Sequence, residues 1–182
     1  MTDSLRRMFR CPTLALQRAA LPRKLCVLDV GARGGVQWPW NLVPEECLDV
    51  TLVEPDPLEA AQLRREWEAC GRGTVLDAAL WHEEATVRLH VNRSPGTSSV
   101  YSANHNLLRQ FPDPQRFEPT TIIEVKTRTI DGIAGAGGLQ PLDAAKIDVQ
   151  GAELAILKGG STHLSRNLVA LELEVEFCEV YL

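Results

Sequence analysis

The stretch LCVLDVGARGG, Leu25 to Gly35, is where the fold of this chain is decided. An apolar run of the length of a buried parallel strand reaches an acid, Asp29, and then breaks into glycines. Gly31, Gly34 and Gly35 allow positive φ and carry no Cβ, so the backbone can turn sharply and approach a ligand before the next helix starts. A helix N-terminus following such a turn offers free N–H groups to a carboxylate or phosphate. The expectation is therefore a ligand-holding strand tip in an open α/β sheet.

Spacing narrows the ligand. A dinucleotide GxGxxG fingerprint would place glycines at 31, 33 and 36, where the chain has Gly31, Arg33 and Val36. No GKS or GKT follows, which removes the phosphate-binding P-loop. What is left is acid, one residue, Gly, three residues, Gly, carried by Asp29, Gly31 and Gly35. This resembles motif I of S-adenosylmethionine-dependent methyltransferases.

Working outward, DVTLVE (Asp49 to Glu54) reads as a second strand, and PDP leads from it into a helix from Leu58 to about Ala69 with Asp56 as its cap. Glu54 then sits at the strand's carboxyl end, 23 residues after Gly31. Nucleoside-binding folds place a ribose-binding acid at about this interval. A third strand is expected at Gly73 to Ala79, with Asp77 and Ala78 at its tip. A fourth is expected at Ala144 to Val149, followed by a helix from Ala152 to Lys158, and a fifth at Leu168 to Phe177, where Glu172, Glu174 and Glu176 share a face. Ala85 to Val91 and Thr121 to Thr127 alternate and read as peripheral strands. Between them lie a Gly/Ser/Pro-rich loop, Ser94 to Ser102, and a helix from Asn104 to Phe111. Trp38 and Trp40, between the glycine turn and the second strand, read as packing residues.

Composition bounds the rest. The chain has 182 residues, 45% hydrophobic and 24% charged, with a formal net charge of -5. That balance suits one soluble domain and argues against a nucleic-acid surface. The five cysteines are scattered, with no CxxC pair and no Cys/His spacing for zinc, and read as reduced thiols of a cytoplasmic protein. No apolar run reaches membrane-spanning length. Arg6, Arg7, Arg10, Arg18, Arg23 and Lys24 make residues 1–24 basic, and we read this segment as an amphipathic helical extension packed outside the sheet.

Taken in order, LDVGARGG, VEPDP, GTSSVY, RTID, KIDVQGAELAILKGG and LELEVEF resemble the FkbM family of S-adenosylmethionine-dependent methyltransferases. The resemblance implies a Rossmann-like class I methyltransferase sheet of core order 3-2-1-4-5 over residues 25–182. It implies S-adenosylmethionine as cofactor, S-adenosylhomocysteine as product, and O-methylation of a hydroxyl on a sugar or natural product. By position, Asp29, Gly31, Ala32, Arg33 and Gly35 would shape the methionine end, Glu54 and Pro55 would bind ribose, and Asp77 and Ala78 would border adenine. Ser98 and Ser99 match the family's serine loop, with Ser99 facing the cofactor. Asp148 would lie by the transferred methyl as general base, with Gln150 and Glu153 nearby. Mg²⁺ on Asp148 and a fifth-strand glutamate is the less favoured alternative, and a non-catalytic cofactor-binding module is the main rival. Arg33 departs from the smaller or amide residue of many members. The chain also stops where the fold would continue with a helix and an antiparallel strand pair. The expectation is therefore a fragment of a longer protein, or a homodimer formed across the fifth-strand edge.

Overall fold

The computed structural model of the chain describes residues 22–182. Its main sheet is all parallel and contains β1 (Leu25–Val30), β2 (Leu48–Val53), β3 (Thr74–Leu76), β7 (Ala144–Ile147) and β8 (Ala170–Leu173), in the order β3-β2-β1-β7-β8. With β7 and β8 as the fourth and fifth core strands, this is the expected 3-2-1-4-5 arrangement of a Rossmann-like methyltransferase sheet. In register, Asp29 lies between Leu52 of β2 and Lys146 of β7, which brings the three strand tips to one edge.

Burial on both faces explains why the central strands are so continuously apolar. On one face Leu28, Val30, Val53 and Ile147 pack with Ile130, Ile133, Ile156 and Leu164. On the other, Val27, Leu48, Val50 and Leu52 pack with Ala60, Leu63 and Val75. The alternation of Val27 and Leu28 between the two clusters is the period-two signature of a strand.

A second sheet, β4 (Ala79–Leu80), β6 (Pro119–Arg128) and β5 (Thr86–Asn92), has the order β4-β6-β5, so the two alternating segments are indeed peripheral. Among the described residues, five short α-helices complete the frame: α1 (Pro57–Leu63), α2 (His105–Leu108), α3 (Ile130–Gly135), α4 (Glu153–Gly159) and α5 (Ser161–Asn167). Asp56 caps α1, accepting from Leu58 N at 3.0 Å. Beyond Leu63 the helix widens to a π turn over Arg64–Glu68.

Two expectations change. The helix expected over Asn104–Phe111 is a single turn. The fifth strand is four residues rather than ten, because its partner β7 ends at Ile147; the Glu174 N–H still donates to Ile147 O at 3.1 Å, and the ladder then has nothing left to pair with. Instead, the tail turns back, and Tyr181 bridges to Ala103. The helical extension expected over residues 1–24 falls on residues 1–21, which lie outside the described residues.

Candidate functional site

The turn after β1 is shaped by what surrounds it. Gly31 has φ +81°, and a Cβ there would lie 1.9 Å from the Asp148 carbonyl oxygen, so the tips of β1 and β7 can meet only over a glycine. Gly35, at φ +78°, sits under the Trp67 ring, where a Cβ would come within 2.5 Å of Nε1. Gly31 and Ala32 both donate their N–H to Val53 O, tying the turn to the end of β2.

At this edge opens a cavity of about 380 Å³. Of the residues expected to bind a cofactor, Gly31, Arg33, Glu54, Pro55, Ala78 and Asp148 line it. Ser98 lines it rather than Ser99. The Ser99 hydroxyl donates to Gln150 O at 2.7 Å and accepts from Tyr101 N at 3.0 Å, bracing the wall from behind. Ala32 and Gly35 likewise shape the turn without reaching the cavity. Asp77 is turned away, with its carboxylate 3.5 Å from Arg64. Trp38 and Trp40 stay off the lining; Trp40 packs into the core and donates to Glu172 at 3.0 Å.

Glu54 is 4% exposed at the tip of β2. It accepts one backbone bond, from Asp56 N at 2.9 Å, which leaves acceptor capacity facing the cavity. Burial pushes its carboxyl up to about 7, against the pull of the Asp56 N–H and the Arg33 guanidinium. Arg33 itself is held by Asp56 at 2.6 Å and Glu59 at 2.9 Å, so its charge is already matched within the wall.

Asp29 lies just off the cavity, 1% exposed and, among the described residues, without a hydrogen bond to either carboxylate oxygen. Burial raises it to about 6, and Lys146, 3.7 Å away, opposes that rise. The same lysine is 3.3 Å from Asp148, so one buried cation serves both acids. Lys146 was open to detection from sequence, since in KIDV it stands two residues before Asp148 and so on the same face of the strand.

Asp148 also receives the Gln150 side-chain amide at 3.1 Å, and the same amide reaches Glu174. Glu174 is raised to about 8, first by hydrogen bonding with Asp148, while Asp148 is lowered by Glu174, Lys146 and Gln150 although burial acts against this. Near neutrality Asp148 is the anion and Glu174 the acid. Gln150 holds φ +61°, rare outside glycine, and its Oε1 is 2.8 Å from the Tyr181 hydroxyl. Glu153, expected near the chemistry, points instead at backbone, accepting from Val149 N at 2.9 Å and Gly151 N at 3.0 Å. Among the described residues no group of three or more His, Cys, Asp or Glu side chains is placed to hold a metal ion.

A strand-tip cavity with a buried acid just after β2 and an aspartate just after β7 stands where open α/β sheets bind their ligands. The family model described as the methyltransferase FkbM domain matches residues 29–181. The chain belongs to the FkbM methyltransferase family. Among curated proteins it is similar to the 2-O-methyltransferase NoeI of Sinorhizobium fredii (strain NBRC 101917 / NGR234), 23% identical over 143 residues, covering 77% of this chain and 59% of that protein. The chain thus spans about three-fifths of the length of the curated relative it matches. No solved structure gives a significant match. No helix among the described residues is long and apolar enough to cross a membrane.

Proposed function

We propose that this FkbM-family chain is an S-adenosylmethionine-dependent O-methyltransferase acting on a hydroxyl of a sugar or natural-product acceptor. The observation that carries the reading is the pairing of Glu54 and Asp148 on one cavity at the carboxyl edge of the sheet. The residues present fit the cofactor. Glu54 offers unmet acceptor capacity to a ribose diol, the bare backbone of Gly31 admits close approach, and Ala78 with Leu89 and Val91 makes an apolar wall for a base. Asp29, Ala32, Gly35 and Ser99 shape and brace this wall, and Asp77 is left to its surface pairing with Arg64.

Bound there, S-adenosylmethionine supplies an electrophilic methyl on a sulfonium. The protein's part is orientation and proton removal. Asp148, kept ionised by Lys146 and Gln150, accepts the hydrogen bond of the acceptor hydroxyl and takes its proton as the oxygen attacks the methyl carbon. Transfer would form the carbon–oxygen bond and break the carbon–sulfur bond, with S-adenosylhomocysteine as the leaving group and the proton left on Asp148. No step requires Mg²⁺. The free state of the four described cysteines suits a reducing, cytoplasmic setting.

A thermal-shift titration with S-adenosylmethionine, S-adenosylhomocysteine and NAD tests the cofactor, since a ligand of the native state raises its stability by mass action. A saturable shift with the two sulfur nucleosides, lost in Glu54→Ala, is the expected result; a shift with NAD alone overturns it. Methyl transfer from labelled cofactor to a panel of glycosides then separates an enzyme from a binding module. Unchanged turnover in Asp148→Asn would remove that residue from catalysis.

A further inference from the structure

Beyond β8 the chain folds back beside the segment that follows the serine loop. Ala103 bridges to Tyr181, the Asn104 N–H donates to Val180 O and the Leu182 N–H to Ser102 O, each at 2.8 Å, and the Asn104 side-chain amide donates to Glu179 O at 2.8 Å. The Tyr181 ring lies between Phe117, 6.1 Å away between centroids, and the backbone of Gly151, where a Cβ would stand 3.6 Å from it. Its hydroxyl thereby comes 2.8 Å from Gln150 Oε1. We propose that Tyr181 is a positioning residue for Asp148: by donating its hydroxyl to Gln150 Oε1 it keeps the other end of that amide, Nε2, on the Asp148 carboxylate. The inference rests on the reading of Asp148 as the base, and adds which residue outside the strand tips sets that base in place.

Tyrosine has a single phenolic proton, and a second acceptor, Thr97 O, lies 2.9 Å from the hydroxyl. Thr97 O already accepts from the Asn92 side-chain amide at 2.6 Å, which leaves the phenol's proton to Gln150. Gln150 Nε2 then faces Asp148 at 3.1 Å and reaches Glu174 as well. The amide turned over would set Oε1 against an ionised carboxylate. At its main-chain end Gln150 holds φ +61°, and its carbonyl accepts from Ser99 Oγ at 2.7 Å. Both ends of the residue are tied, so the amide has little freedom once the phenol holds it, which is how supporting hydrogen bonds orient a reacting group.

Charge does not account for the link. Burial pushes the phenol upward, and Glu176 and Glu174 add to this, so Tyr181 is neutral near neutral pH and phenylalanine in its place removes no charge. Asp148 faces Lys146 of β7, Asp29 of β1, and Glu174 and Glu176 beyond β8; Tyr181 faces the same two glutamates, Glu153 of α4 and Arg116. Tyr181→Phe alters none of these groups. What it does alter is the amide that stabilises the ionised form of Asp148, so the carboxyl should become harder to ionise.

Carbon-detected NMR of the full chain, labelled with ¹³C at the aspartate carboxyl groups and free of ligand, reads this directly, with Asp148→Asn identifying the resonance. Tyr181→Phe should raise the Asp148 titration midpoint by at least about half a pH unit, Gln150→Leu by as much or more, and the double variant by no more than Gln150→Leu alone. A midpoint unchanged in folded Tyr181→Phe, or shifts that add in the double variant, overturns the proposal. Melting temperatures serve as the control for folding; an unchanged midpoint in Gln150→Leu overturns the proposal equally, which keeps the test usable should Tyr181→Phe not fold. The acid limb of methyl transfer from labelled S-adenosylmethionine to the glycoside panel should move with the carboxyl. A carboxyl shift with no matching move of that limb would leave Tyr181 holding Asp148 and remove Asp148 as the base, so the two readings fail separately.

Discussion

At the scale of single residues, Glu54 couples cofactor binding to pH. Its carboxyl ionises at about 7 in the free protein, and a ribose diol donates to the ionised form. Affinity therefore rises as pH rises through 7 and levels off above it. Between pH 6 and pH 8 we expect the dissociation constant for S-adenosylhomocysteine to fall by about tenfold, as the ionised fraction of Glu54 rises from about one-tenth to about nine-tenths. Calorimetric titration of the wild type and Glu54→Gln checks this, because the variant should bind weakly with no such slope. Ala78 and Asp148 were legible by position in the same way as Glu54, since strand tips in this fold meet at one edge. The choice of Ser98 over Ser99 on the lining was not, since adjacent residues in an extended loop point to opposite sides and only the packing tells which side faces the cavity.

At the scale of elements, α5 owes its start to a residue on another helix. The Asp131 carboxylate on α3 accepts from His163 N at 2.7 Å and Thr162 N at 3.1 Å, meeting donors that the first turn of α5 cannot pair within itself. Asp131→Ala should therefore cost about 1 kcal/mol of stability, read as a lower urea midpoint at unchanged slope. Nothing local in STHLSRN announces this cap, because it comes from about 30 residues away, whereas Asp56 before α1 and Thr129 before α3 are ordinary local caps. The shortened β8 shows the same limit. Its ten-residue alternation is real, but a strand extends only as far as a partner runs beside it.

At the scale of the whole molecule, the buried acids govern stability against pH. Asp29 and Glu54 ionise at about 6 and about 7 in the folded chain and near 4 when unfolded, so the native state binds more protons between those limits. Stability should then fall as pH rises from about 4 to about 7, by up to roughly 3 kcal/mol for each group, and change little from these two groups above that. Asp131 and Asp143 are lowered, so their contribution is present above pH 4 and lost in more acid solution. Thermal melts from pH 3 to 8 should show a maximum near pH 4, with a smaller decline above it in Glu54→Gln. The outer edge of the main sheet carries a second prediction. Leu171, Val175 and Phe177 are 44%, 56% and 99% exposed around β8, an apolar edge suited to pairing with a second copy. Sedimentation should show concentration-dependent dimers that are lost in Leu171→Lys; a monomer throughout would remove the edge as an interface.

The sequence by itself determined the sheet, its order and the turn that opens the site. Strand alternation, glycine at positive φ and proline-led helix starts are decided within a few residues, and the order of motifs along the chain identified the family. Tertiary structure alone decided the finer chemistry. Lys146 against Asp29, Glu174 beside Asp148, and Tyr181 against Gln150 each join groups from different strands or from the tail. Their distances follow from sheet register and from where the chain turns back after β8, and those are properties of packing that no local pattern encodes.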